Sequence, residues 1–203
     1  MEAIDGIDNG VNQFASSEPP RYESHTHLSA RIGNLNPAWN EEPTAAYSDA
    51  QFVKAQALAG AEFLEAVHYY GKTWLPGRTP VAAALAARHA VHESGLILKL
   101  PTYCPWKQHL YELEAEQAIS PLPLFVLYAD EKANRRIQAV SVSPSSFDNR
   151  RSLPAAWRGL RDEALSAACG IPGGIFVHVG GFIGGNATEA GATAMAIAAL
   201  TLD

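Results

Sequence analysis

Cysteine is nearly absent from the chain: Cys104 and Cys169 are the only two in 203 residues. Two thiols so far apart match no zinc-ligand spacing and make no disulfide framework, so they read as reduced cysteines of an intracellular protein. No apolar run approaches the roughly 18 residues that would cross a bilayer, which leaves no membrane span to expect. The first ten residues, MEAIDGIDNG, are acidic and polar, unlike a signal or transit peptide. Net positive charge is also missing. A formal charge of -6 excludes a generally basic coat for nucleic acid. What is present is an ordinary globular composition, 47% hydrophobic and 18% charged, in a chain long enough to bury a sizeable core.

Charge is distributed unevenly. From Lys132 to Arg161 there are seven basic residues (Lys132, Arg135, Arg136, Arg150, Arg151, Arg158, Arg161) and one acid, Asp148. That stretch carries +6, so the rest of the chain carries -12. Six of the seven are arginine, the better residue for forked contacts with phosphate. By charge alone, a phosphate-facing surface and a solvated face paired with acids elsewhere stand level.

Periodicity organises the chain. EAIDGIDNG has Ala3, Ile4 and Ile7 on one side and Asp5 and Asp8 on another, as in the last turns of a helix stopped at Asn9-Gly10. So short an opening element suggests that an upstream part is absent. Residues 11–47 read as a long loop, with Leu28, Ile32, Leu35 and Trp39 as apolar anchors. Ser48 and Gln51 form a capping-box pattern ahead of a helix of about six turns, broken at Pro76-Gly77 and resumed from Thr79-Pro80 to Gly95. His89 and His92 are three apart but have no acidic partner at helical spacing, and read as surface or interface histidines. Residues 95–203 read in the order β-α-β-β-α-β-α, an α+β domain with an antiparallel or mixed sheet covered by helices.

Near the end, FVHVGGFIGGNATEAGATAMA sets five glycines and His178 between a strand and a helix. A strand, a glycine turn and a helix N-terminus together can bind an anion. The spacing is neither GxGxxG nor GxxxxGK[ST], so it leaves open a phosphate loop and a plain strand-to-helix turn. A lone strand histidine is more often packed than catalytic. Asp5 and Asp8 are three apart on one helix face, where two carboxylates could share a hard cation.

Several blocks, EAIDGIDNGVNQF, LSARIGNLNPAWNE, CPWKQHLYELE, RRIQAVSVSPSSFDNRRSLPAAWRGLRDEALS and GIPGGIFVHVGGFIGGNATEAGA, closely resemble the melanocyte proliferating gene family. Its members look like DHH-type phosphoesterases and are associated with 3′–5′ RNA exonuclease activity in nucleus, nucleolus and mitochondrion. Such proteins begin with a catalytic half carrying a THSGTFHCDE-like segment, a further aspartate and a DHH-like segment, which hold two divalent metals, expected to be manganese. None of the three segments occurs here. The resemblance therefore implies that residues 1–47 are the end of a truncated DHH-like domain, 48–94 connecting helices and 95–203 a C-terminal substrate-binding domain. Asp5 or Asp8 would match the last acidic position near the metals, with Asp8 preferred.

GGFIGGN, with His178, Gly181, Gly184, Gly185 and Asn186, would match a phosphate-facing loop. Arg150, Arg151, Arg158 and Arg161 would match its basic face. The chain departs from the family pattern at Gly174, where a small or cysteine side chain is usual, and at Gly180-Gly181, where Ser-Gly is common. Both changes keep the backbone permissive. The implied partner is RNA or nucleotide phosphate, and the implied state one that cleaves nothing alone. A non-catalytic oligomerisation or regulatory module, with homo-oligomers formed through helices 48–94, is the alternative.

Overall fold

A threonine, one turn earlier than the sequence pattern suggests, starts the longest helix of this protein. The computed structural model describes residues 4, 6, 13–14 and 19–202, which fall into two units, Met1–Tyr70 and Gly71–Asp203. Asp5 and Asp8 lie outside the described residues. In the first unit a short helix, α1 (Leu28–Gly33), replaces part of the expected loop; the His27 ring caps it by accepting from the Ala30 N–H at 3.2 Å. Helix α2 (Ala45–Tyr69) follows. Thr44 is held extended, and its hydroxyl accepts from the Tyr47 N–H at 3.2 Å. Ser48 already donates its N–H to the Thr44 carbonyl, so it lies within the first turn and the Ser48–Gln51 capping box does not form. An Arg31–Glu62 ion pair joins α1 and α2. Leu28, Ile32 and Leu35 are half-buried as expected of anchors, but Trp39 is 97% exposed and anchors nothing.

The expected break at Pro76-Gly77 does not occur. A π-helical turn over Tyr70–Trp74 leads instead into α3 (Leu75–Ala86). Pro76 sits at the start of α3, directly after the π-helical turn. A single turn, α4 (Arg88–Val91), precedes β1 (Ile97–Lys99). Then come α5 (Trp106–Glu116), β2 (Phe125–Ala129), β3 (Arg135–Ala139), a 3₁₀ turn at Ala155–Trp157, α6 (Asp162–Cys169), β4 (Gly174–Val177), β5 (Ile183–Asn186) and α7 (Glu189–Ala198). The fold is α+β, with five strands in the order β1-β2-β3-β5-β4. The β1–β2 pair is parallel and the other three are antiparallel.

Strand β5 is the element the sequence concealed. IGGN reads as turn chemistry because glycine weakens an isolated strand. Here it is paired on both sides, Gly184 with Ile137 and Val177, and Gly185 with Arg136 and Phe176. The neighbouring strands supply the hydrogen bonds that local propensity does not.

Two cores sandwich the sheet. On one face Phe125, Leu127, Ile137, Ala139 and Val177 pack with Trp157, Leu165 of α6, and Ala192, Met195 and Ala196 of α7. On the other, Leu98, Val126 and Tyr128 pack with Val81 and Leu85 of α3 and with Trp106, Leu110 and Leu113 of α5. His109, fully buried on α5, donates Nε2–H to the Trp74 carbonyl at 2.7 Å, and its ring lies 4.1 Å from the indole. That bond fixes its tautomer and ties α5 to the π-helical turn. Among the described residues no helix is long and apolar enough to cross a membrane.

Candidate nucleic-acid interface

The basic stretch divides into residues that meet an acid and residues that do not. Arg150 forks onto Glu114 with both nitrogens at 2.7 Å, donates to the Pro123 carbonyl at 2.9 Å and lies over the Tyr111 ring. Both ionic groups are nearly buried, so this arginine, read from sequence as phosphate-facing, holds α5 to the following loop instead. Arg135 pairs with Glu189 at 3.3 Å and Arg136 with Asp130 at 2.7 Å. Lys132, Arg151, Arg158 and Arg161 meet no carboxylate among the described residues; Arg151 reaches only the Leu202 carbonyl at 3.3 Å.

Arg158 and Arg161 flank a segment laid along β4. Gly159 donates to the Val177 carbonyl at 2.9 Å, Val177 donates to that of Leu160 at 3.0 Å, and Arg161 bridges Phe176. Arg158 turns toward the β4–β5 hairpin, its Nε donating to the Leu153 carbonyl at 2.9 Å. Gly181, in that hairpin, has φ +68, and a Cβ there would stand 2.6 Å from the same Nε. The left-handed turn and the arginine lying over it both require glycine. So Gly181 and Arg158, predicted separately, are brought together.

The rest of the glycine segment behaves differently from an open phosphate loop. Gly180 donates its N–H to His178 Nδ1 at 3.0 Å, and Gly181 donates to the His178 carbonyl at 2.8 Å. These amides are occupied by the turn itself. The exposed His178 ring stacks on Phe182 at 4.5 Å. Gly184 and Gly185 are buried in β5. Asn186 is fully buried, donating to the Pro172 carbonyl at 2.9 Å and accepting from the Thr188 N–H at 2.9 Å and the Thr188 hydroxyl at 3.1 Å. Thr188 in turn caps α7 by accepting from the Gly191 N–H. The helix N-terminus is closed by its own cap, and its first residue, Glu189, is an acid. Lys99, donating at 2.6 Å, and then Arg135 hold the Glu189 carboxyl below its ordinary value.

Sequence reasoning missed a row of side chains that crosses the sheet. Tyr128, Arg136, Gly185, Phe176 and Arg161 are successive cross-strand partners, so they share one face. The Arg136 guanidinium stands over the Phe176 ring at 5.0 Å, and that of Arg161 over the same ring at 5.8 Å. Gly185 lies beneath Arg136: a Cβ there would meet Nη1 at 2.8 Å. Tyr103 meets Tyr128 edge-on at 5.4 Å. Burial, with a smaller contribution from Tyr103, pushes the Tyr128 hydroxyl up to about 12, and it donates to Gln138 Oε1 at 2.8 Å. Beside the row is an open cleft of about 420 Å³ lined by Tyr103, Tyr128, Asp130, Glu131, Lys132, Arg136 and Ile183. At Asp130, partial burial raises the pKa, but the Lys132 and Asn134 N–H groups and Arg136 outweigh it, and the carboxyl titrates below its usual range. The local signal for the row was the alternation in RRIQA; Arg161, Phe176 and Gly185 come from segments distant in sequence.

Among the described residues no three His, Cys, Asp or Glu side chains converge to hold a metal ion. The divalent cation implied by the resemblance has no donor set in them. Both cysteines are free, and burial raises the Cys104 thiol.

A family model described as "Uncharacterised protein family (UPF0160)" matches residues 1–200. The chain is 47% identical to the human protein named MYG1 exonuclease over 201 residues, 98% of this chain and 53% of that one. It is 47% identical to the MYG1 protein of Dictyostelium discoideum, covering 98% of this chain and 61% of the relative. To the MYG1 protein of Saccharomyces cerevisiae it is 41% identical, covering 91% and 56%. No solved structure matches it. The chain spans somewhat more than half the length of these relatives, and over nearly its whole length it belongs to the MYG1 exonuclease family.

Proposed function

We propose that this chain is the C-terminal, phosphate- and RNA-binding portion of a metal-dependent phosphodiesterase, and that alone it binds RNA weakly and cleaves nothing. The observation that carries the reading is the pair Arg158 and Arg161, presented on either side of a segment paired to β4, with no carboxylate among the described residues to neutralise them. Arginine in that state is suited to the non-bridging oxygens of a phosphodiester. The exposed His178 and the Arg158–Gly181 contact place the hairpin tip beside the same charges. Manganese, in this proposal, is bound by residues other than the described ones. The test is anisotropy of labelled RNA at rising salt, with manganese-supplemented digestion alongside. Binding should weaken steeply with salt and be markedly weaker in Arg158→Ala/Arg161→Ala, with no turnover. Robust cleavage would overturn the claim of inactivity, and salt-insensitive binding the claim of phosphate contact.

A second reading rests on α2. That helix buries none of its side chains and exposes Phe52, Phe63, Leu64 and Val67, as a helix that self-associates would. Apolar association should persist at high salt and ignore the arginine substitutions.

A further inference from the structure

We propose that Tyr103, Arg136 and Arg161, with Phe176 behind the two guanidinium groups, form a stacking platform that seats the bases of a single-stranded nucleic acid. The proposal rests on the RNA-binding reading and adds which part of the RNA is held, by which face. From Arg136 to Arg161 the open part of the row crosses three interstrand spacings, about 14 Å. That is long enough for more than one unstacked nucleotide.

Its composition fits bases better than a second protein layer. One exposed ring, Tyr103, and two guanidinium planes present π surfaces to a base whatever its sequence. Arg136, Gln138, Ile183 and Phe176 are half-buried and take no part in the apolar cluster that covers β1 and β2 on this face. Tyr103 stands on the rim of the cleft with 61% of its surface exposed. Phe176 backs the two guanidinium groups, so bases lie against them and against Tyr103.

Unfilled capacity supports the same occupant. Arg136 uses Nη2 on Asp130, while its Nη1 is buried and has no hydrogen-bond partner. Arg161 at one end of the platform and Lys132 in the lining of the cleft meet no carboxylate among the described residues. Glycine at 185 lets the Arg136 guanidinium pass over β5 to the Phe176 ring.

The experiment uses the whole chain and two labelled probes of equal length, an oligoadenylate and an abasic oligomer with the same backbone. The oligoadenylate should bind about tenfold or more tightly, since stacking is worth roughly 1–3 kcal/mol per base. Tyr103→Ala removes an exposed ring and should weaken the oligoadenylate by about fivefold or more while leaving the abasic probe unchanged. Arg136→Lys keeps the charge and loses the plane, and should likewise reduce only the base-dependent part. Equal affinity for the two probes, or equal losses on both in Tyr103→Ala, overturns the platform and leaves the phosphate reading standing. If neither probe binds, the RNA-binding reading falls and the platform with it.

Discussion

One face of the five-stranded sheet has two halves built on opposite principles. Over β1 and β2, helices α3 and α5 bury Leu98, Val126 and Tyr128 beneath Val81, Leu85 and Leu110. Over β3, β5 and β4, the same face carries arginines, Phe176 and a strand glycine, all outside that cluster. Arginine occurs in both settings, and the difference is its partner. At the covered half, Arg150 is matched to Glu114, so its charge is consumed in holding the fold. At the open half, Arg161 meets an aromatic ring and no carboxylate among the described residues, and its charge remains available to a ligand. A basic stretch in sequence is therefore two populations in space.

The contrast breaks most visibly at Arg150. Arg150→Ala strands the Glu114 carboxylate and should cost about 3–5 kcal/mol in urea unfolding. RNA affinity measured where the variant is still folded should change little. Asn186→Ala should follow, at about 1–3 kcal/mol, because the Thr188 N–H and the Pro172 carbonyl lose their buried partner. An effect on RNA binding larger than on stability would return Asn186 to the substrate surface.

The open half should behave in reverse. Arg158→Ala/Arg161→Ala should cost stability no more than about 1.5 kcal/mol, chiefly the Leu153 hydrogen bond. It should lower the slope of log affinity against log salt by about 1.4 if both side chains meet phosphate on a single strand. An unchanged slope would sink the comparison.

The smallest expected effect concerns Asp130. Its carboxyl is depressed in the folded state, so its contribution to stability is complete above the ordinary carboxylate range and is lost as pH falls through the folded value. Asp130→Asn should flatten that part of the acid limb of a pH–stability curve below about pH 4. A variant curve parallel to the parent would show that the Arg136 pairing adds nothing.

Much of this was legible in the residues alone. The apolar run LPLFVLYA and the alternating RRIQAVSVS are β2 and β3, and the heptad-like spacing of CPWKQHLYELEAEQA is α5, because burial on one or two faces leaves a local periodic trace. The α+β class and the family membership follow from such local patterns. Helix starts were less legible: the Ser48–Gln51 pattern was a fair cap, and Thr44 prevailed because its hydroxyl met an N–H first. Only the tertiary structure decided that IGGN is a strand, which of the arginines meet an acid, and that Tyr128, Arg136, Phe176 and Arg161 form one line. Each is a pairing between distant segments. Strand pairing supplies glycine with hydrogen bonds that its own propensity opposes, and the carboxylate that meets an arginine is chosen by packing, neither of which leaves a periodic signal in the chain.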